Sequence, residues 1–113
     1  MEKVNKYKNT IEKILKDKAV FPNKQFPNLK DVVIINEERT NFMLLTVGWD
    51  AQEYIHQVLF HIEAKSNGKI WIHENRTDLL IDEVLIENKV DKLDIILGMV
   101  DPYSLEELKT KAA

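Results

Sequence analysis

The sequence predicts an α+β fold in which an N-terminal helix precedes a four-stranded antiparallel meander, followed by one longer and one or two short helical segments. Two patterns carry this prediction. Apolar residues recur at helical spacing near the N-terminus, whereas residues 32 to 73 form four strand-like runs separated by short polar breaks. With 113 residues and 44% hydrophobic content, the chain has the size and composition of a single domain spanning residues 1–113.

The first element is predicted to be an amphipathic helix. Five apolar residues share one face at helical spacing, and they are Val4, Tyr7, Ile11, Ile14 and Leu15. Lys6, Lys13 and Lys16 lie on the opposite face of the same helix. Pro22 and Pro27 then mark a loop, because proline removes a backbone donor and restricts the residue before it.

The four strand-like runs are rich in branched and aromatic side chains, and they are Val32–Asn36, Phe42–Trp49, Tyr54–Lys65 and Lys69–His73. The breaks between these runs are only a few residues long. Parallel neighbours would need long crossover connections, which these short breaks cannot supply. The runs are therefore predicted to form a sequential antiparallel meander.

The turn Ser66–Gly68 predicts the register of the last two strands. Read as a three-residue loop with glycine in the left-handed conformation, it pairs Lys65 with Lys69 and Ala64 with Ile70. The same register places Ile62 opposite Ile72 and His61 opposite His73. A two-residue loop would slip the register by one and mix polar with apolar side chains on each face. We adopt the first register because it separates them better.

A second helix is predicted from the N-cap Thr77 to about Asn88. Its predicted buried stripe consists of Leu80, Ile81, Val84 and Leu85. Leu79 and Ile86 lie on the opposite side of this helix, where they are candidates for an oligomer interface, although packing beneath the C-terminal segment is an equal alternative.

The region after the second helix gives weaker signals. The apolar run Ile95–Leu97 is too short to assign to helix or strand. Ser104 and Glu107 have the spacing of a capping box, which predicts a short terminal helix.

Composition excludes several classes of protein. Without cysteine the chain has no disulfide, no thiolate nucleophile and no cysteine-bound zinc. No apolar run is long enough for a membrane span, and the polar N-terminus does not resemble a secretory signal, so we expect a cytoplasmic protein with no membrane partner. The three glycines are too far apart for a phosphate-binding loop, and no serine nucleophile motif is present. These absences exclude several classes of enzyme and leave nucleophilic catalysis without support, and we expect no cofactor.

Charge is distributed unevenly along the chain, whose formal net charge is −3. Residues 1–30 carry eight lysines and three acids, whereas the remainder carries eight basic and sixteen acidic residues. This asymmetry could steer an acidic partner to the first helix, where Lys6, Lys13 and Lys16 are the candidates for contacting nucleic-acid phosphates. A solvated helix face is the simpler interpretation, and the pI of about 5.6 gives direct DNA binding little support.

The candidates for metal ligands are His61 and His73. Directly opposed residues on antiparallel strands have Cβ atoms about 5 Å apart, which would allow two imidazoles to share a metal ion. Glu63 lies one step along the same face. Polar side chains facing solvent across a sheet are common, so a site without metal is the simpler interpretation.

Several short motifs resemble, in order and approximate spacing, the fdxN element excision controlling factor family (XisI-like). They are Val47–Asp50, Leu59–Glu63, Gly68–His73, Thr77–Asp78 and Asp94–Gly98. The likeness covers residues 1 to 102, and the combination of Gly-Trp-Asp with Gly-Lys-Ile-Trp-Ile is its most specific part. The tail Tyr103–Ala113 departs from the family pattern.

The resemblance implies a small cyanobacterial-type protein linked to the developmentally regulated excision of a DNA element. It implies a non-enzymatic accessory or regulatory role beside a recombinase and an XisH-like companion, exerted through protein contacts and in a homo-oligomer. The family offers no catalytic residues to carry over to this sequence. The alternatives are a nucleic-acid-binding factor that uses the first helix and, third, a metal-binding protein or hydrolase at His61 and His73.

Overall fold

A computed structural model describes residues 2–19, 28–76 and 80–99. The elements in chain order are α1 (Glu2–Lys18), β1 (Leu29–Ile35), β2 (Asn41–Asp50), β3 (Glu53–Ala64), β4 (Ile70–Asn75), α2 (Ile81–Glu87), a 3-10 turn (Lys92–Asp94) and β5 (Ile95–Leu97). The strands form one sheet in the order β1-β2-β3-β4-β5. Strands β1 to β4 are antiparallel neighbours, whereas β5 runs parallel to β4.

Helix α1 forms as its apolar spacing predicts, and all five residues of the predicted stripe are buried. It packs against β2 and β3. The charged side chains at its ends interact favourably with the helix dipole, because Glu2 lies in the first turn and Lys16 and Lys18 lie in the last. None of the helices in the described part of the chain is long and apolar enough to cross a membrane.

The hydrophobic core lies between the helices and one face of the sheet. Period-two alternation sends every second strand residue to this face, and the fully buried ones are Phe42, Leu44, Phe60, Ile62, Ile70 and Ile72. Ile81 and Leu85 of α2 join the same cluster, so both helices cover the same face. The opposite face, called here the second face, carries His61, His73 and Trp71.

The predicted four-stranded meander is wrong in its strand number. The run Ile95–Leu97 forms β5, which pairs in parallel with Ile70–Ile72 of β4. The segment containing α2 supplies the long crossover that a parallel pair requires. One further hydrogen bond extends this pairing, because the N–H of Gly98 donates to the carbonyl oxygen of Ile72 at 2.9 Å.

The predicted register of β3 and β4 is correct near the turn and wrong further along. Lys65 N–H donates to the carbonyl oxygen of Lys69 at 2.9 Å, and Gly68 has φ of 87°, as a three-residue loop requires. The register then shifts between His61 and Ile62, so that His61 pairs with Glu74. An extra residue in β4, a β-bulge, produces this shift.

Helix α2 is shorter than predicted. It begins at Ile81 after Leu80, which makes no side-chain cap hydrogen bond. Leu80 is 59% exposed, so its predicted place in the buried stripe is wrong. The predicted cap Thr77, the interface candidate Leu79 and the predicted terminal helix at Ser104 lie outside the described residues.

Candidate functional site

A cluster of polar and aromatic side chains lies on the second face, where β2, β3 and β4 run side by side. The histidine cluster, as we call it, consists of Asn41, His61, Glu63, Trp71 and His73. The imidazole rings of His61 and His73 have centroids 4.9 Å apart at an interplanar angle of 44°. The bulge keeps these rings close although the residues are not register partners, because a bulge places two residues of one strand opposite a single residue of the other.

Each imidazole in the cluster has its own hydrogen-bond acceptor. His61 Nε2 lies 2.9 Å from Asn41 Oδ1, and His73 Nε2 lies 2.8 Å from Glu63 Oε1. Since both partner atoms are acceptors, each Nε2 carries a proton and donates it. The two Nε2 atoms therefore donate to side chains on different strands. His61 donates to Asn41 on β2, and His73 donates to Glu63 on β3.

The environment of the cluster changes the acidity of two of its members. Burial, followed by the nearby charge of His73, lowers the pKa of His61 below its ordinary value. The hydrogen bond from His73 lowers the pKa of the Glu63 carboxyl. The cluster thus favours a neutral His61 beside an ionised Glu63.

The two histidines proposed as metal ligands are brought together, but in a hydrogen-bonded arrangement. Their Nε2 atoms bind separate acceptors, and within residues 2–19, 28–76 and 80–99 no group of three or more ligating side chains is found. In this geometry the histidines link β2, β3 and β4 through side-chain hydrogen bonds.

Gly98 lies beside the histidine cluster. The sequence places it in a family motif but did not identify it as a candidate site residue. A Cβ at this position would lie 3.0 Å from Trp71 Cε3 and 3.1 Å from His73 Nδ1. Glycine therefore lets the chain after β5 pass close to both rings. The signal available in the sequence is a glycine that directly follows a short apolar run.

The basic candidates lie together on α1. Lys6, Lys13 and Lys16 are all exposed on the side opposite the buried stripe. Ten residues of helix separate the first from the last, a distance of about 15 Å. Lys16 is also 3.4 Å from Glu12 in an exposed ion pair.

Ile86 lines a surface groove of about 440 Å³ between α2 and β5. Seven residues line this groove, which we call the α2-β5 groove, and they are Asp82, Ile86, Lys92, Leu93, Ile95, Ile96 and Leu97. Leu93 is 82% exposed and Ile86 is 40% exposed. The groove therefore presents branched apolar side chains to solvent.

Charged side chains of both signs line the groove, with Asp82 on α2 and Lys92 at the start of the 3-10 turn. Asp82 and Glu83 occupy the first turn of the helix, and Glu87 is its last residue. Glu83 and Glu87 are exposed. The groove itself thus combines five apolar side chains with one acidic and one basic side chain.

Comparisons with known proteins agree with the family resemblance that the motifs indicate. A family model described as XisI protein matches residues 1–109. The crystal structure of a XisI-like protein from Anabaena variabilis superposes with a TM-score of 0.79 at 29% identity, covering 89% of this chain and 91% of that one.

A second crystal structure, of the fdxN element excision controlling factor XisI from Anabaena variabilis, superposes with a TM-score of 0.72 at 31% identity. It covers 90% of this chain and 97% of that chain. No curated protein matches the sequence. The resemblance drawn from the motifs is confirmed, and the chain belongs to the XisI family.

Proposed function

We propose that this chain is a non-enzymatic accessory factor that helps to control excision of a DNA element by contacting other proteins. Membership of the XisI family supports this role, because a relative 31% identical to the chain is described as an excision controlling factor. The proposed partners are an XisH-like companion or the recombinase itself. The protein would act by binding, with no catalytic step of its own.

The observation that carries this proposal is the α2-β5 groove. Leu93 and Ile86 both line this groove and are both exposed. Burying the 82% exposed Leu93 on a partner would contribute about 1.5–3 kcal/mol, and burying Ile86, which is 40% exposed, would contribute less. Association costs reduce the net gain. Two such side chains around a shaped groove are a plausible centre for a protein interface.

The charges that line the groove favour a partner surface that combines apolar side chains with charged groups of both signs. Asp82 and Lys92 line the groove, and complementary charges on the partner would steer the encounter rather than add much affinity. The rate of association through this surface should therefore fall as salt is added.

Co-purification with an XisH-like companion tests the proposal, with each protein tagged in turn. Leu93→Asp should remove the complex, because it places a charge in the apolar floor. Tyr54→Asp is the matched control, since Tyr54 is 55% exposed in the β2-β3 hairpin and does not line the groove. No complex with the wild type, or equal loss in both variants, would contradict this use of the groove.

Self-association is the other proposed use of the surface around Ile86, and the sequence adds Leu79, which lies outside the described residues, as the second candidate for this interface. Sedimentation of the chain alone, compared with a Leu79→Asp, Ile86→Asp double variant, distinguishes the two uses. A change in oligomer size would assign Leu79 and Ile86 to contact with a second copy. An unchanged size together with loss of the companion would assign them to the companion.

A nucleic-acid-binding role is the second candidate, and the shared exposed face of Lys6, Lys13 and Lys16 favours it. Binding to phosphates releases counterions, so affinity should fall steeply with salt. Changing all three lysines to glutamate should abolish a mobility shift of duplex DNA at low salt. Absence of any shift with the wild type would remove this candidate.

A further inference from the structure

We propose that Asn67 is a site of spontaneous deamidation and that the closed turn between β3 and β4 holds this reaction back. The reaction is intramolecular and consumes only water, and its products are aspartate and isoaspartate at position 67. The turn is separate from the α2-β5 groove. The proposal therefore stands or falls independently of the proposed function.

Asn67 has two features that favour deamidation of an asparagine. It is the one asparagine in the sequence that is followed by glycine, so no side chain on the next residue shields the backbone nitrogen that attacks. It is also exposed in the turn, where water reaches its side-chain carbonyl group. Asn88 is exposed as well, but it is followed by Lys89 and lacks the first feature.

The reaction begins with the closure of a ring. The backbone nitrogen of Gly68 loses its proton and forms a bond to Cγ of Asn67, while the side-chain nitrogen takes up a proton and leaves as ammonia. Water then opens the cyclic imide that results. Opening at Cγ gives aspartate, whereas opening at the backbone carbonyl carbon gives isoaspartate, in which the main chain runs through Cγ. Water is consumed and ammonia is released in equal amounts, and no atom is oxidised or reduced.

The turn has the hydrogen bonds of a closed three-residue loop. Gly68 N–H donates to the carbonyl oxygen of Lys65 at 3.0 Å, and Lys65 N–H donates to the carbonyl oxygen of Lys69 at 2.9 Å. Gly68 has φ of 87°, so the loop is a type I turn followed by a left-handed residue. Asn67 therefore occupies the third position of the type I turn, where ψ is about 0°.

This conformation keeps the reacting atoms apart. That value of ψ aligns the backbone nitrogen of Asn67 with that of Gly68, whereas ring closure requires Cβ of Asn67 in the aligned position. The N–H of Gly68 must also leave its bond to Lys65 before the proton is lost. The side-chain oxygen of Asn67 is held too, since it accepts the N–H of Lys69 at 3.0 Å. Deamidation therefore requires the turn to open.

The two products should affect the turn differently. Aspartate keeps the length of the main chain and an oxygen that accepts the N–H of Lys69. Isoaspartate adds one carbon atom to the main chain, which does not fit a loop that pairs Lys65 with Lys69 and buries Gly68. We therefore expect isoaspartate, and not aspartate, to loosen the β3-β4 hairpin.

Mass spectrometry of the digested protein measures the reaction at each asparagine after incubation at mildly alkaline pH. The folded protein is compared with the chain held unfolded in guanidinium chloride. Deamidation at Asn67 should be about tenfold or more slower in the folded protein, because at least two hydrogen bonds must break first. Asn88 should react more slowly than Asn67 in the unfolded chain. No reaction at Asn67 in the unfolded chain, or equal rates in the two states, would overturn the proposal.

Ser66→Pro tests whether opening of this turn controls the rate. Ser66 is the second residue of the type I turn, where the fixed φ of proline is favoured. The folded variant should therefore deamidate about two- to fivefold more slowly than the folded wild type, because proline disfavours the open conformations. The two unfolded chains should react at the same rate. Equal rates for the two folded proteins would contradict control by the turn.

Asn67→Asp separates the effects of the two products on stability. The variant contains only the aspartate product, and it should unfold at the same urea concentration as freshly prepared wild type. Aged wild type, which contains isoaspartate as well, should show a second population that unfolds at lower urea concentration. Equal stability of the variant and the aged protein would contradict the expectation that the extra main-chain carbon loosens the hairpin.

Discussion

The hydroxyl of Tyr7 donates a hydrogen bond to Asp94 Oδ2 at 2.7 Å, joining side chains 87 residues apart in the sequence. Asp94 is only 5% exposed, and its carboxylate also receives the ammonium groups of Lys3 at 2.5 Å and Lys69 at 3.3 Å. The Tyr7 oxygen in turn accepts the backbone N–H of Asp91 at 3.2 Å. This network fixes α1 to the turn that leads into β5.

Replacing Tyr7 by phenylalanine should destabilise the protein by about 1–3 kcal/mol, because the Asp91 N–H and the Asp94 carboxylate both lose a partner. The free energy of unfolding in urea measures the loss. Tyr54→Phe is the matched control, since the ring is 55% exposed, and it should change stability by less than about 0.5 kcal/mol. Equal stabilities of the two variants would contradict the role given to the network.

Gly48 is required by both its conformation and its surroundings. Its φ is 135°, and a Cβ there would collide with the carbonyl oxygen of Asn28. Gly48→Ala should therefore cost about 2–4 kcal/mol, since strain and a steric clash act together.

Gly68→Ala provides the comparison for Gly48. Its φ of 87° is also positive, but the added Cβ would meet only the Lys3 side chain, at 4.0 Å. The cost should be about 1–2 kcal/mol, the conformational strain alone. Thermal unfolding of both variants checks the difference, and a Gly68→Ala variant less stable than Gly48→Ala would contradict this explanation.

Local patterns were sufficient to predict the parts of the fold that depend on neighbours in sequence. The apolar stripe of α1 is buried as its 3.6-residue spacing indicates. The turn at Gly68 correctly predicts that Ala64 pairs with Ile70 and Ile62 with Ile72. In both cases a few adjacent residues contain the whole signal.

Features that depend on distant partners were not predictable in the same way. β5 is three residues long and shows no alternation, so only its contact with β4 makes it a strand. The bulge near His61 has no mark in the sequence, and it changes the partner of His61 from His73 to Glu74. The hydrogen bond between Asn41 and His61 was likewise unforeseen, because it depends on the pairing of β2 with β3.

The last prediction concerns the stability of the protein in mild acid. Burial, and then the charge of His73, lower the pKa of His61 from 6.5, while the charges of Glu63 and Glu74 oppose this shift to a smaller extent. The unfolded chain therefore binds a proton at His61 more readily than the folded chain. Stability should fall as the pH drops below 6.5 and through the lowered pKa.

Denaturation in urea across this pH range compares the wild type with His61→Gln, which removes the titrating group and retains a donor for Asn41. The variant should lose less stability between neutral pH and the lower end of the window. His56→Gln is the matched control, because His56 is exposed on the same strand outside the cluster. The pKa of Glu63 is lowered from 4.5, so its stabilising contribution is lost only at lower pH, outside this window. If His61→Gln and wild type lose stability in parallel, the half-buried imidazole of His61 is not the source of the acid sensitivity.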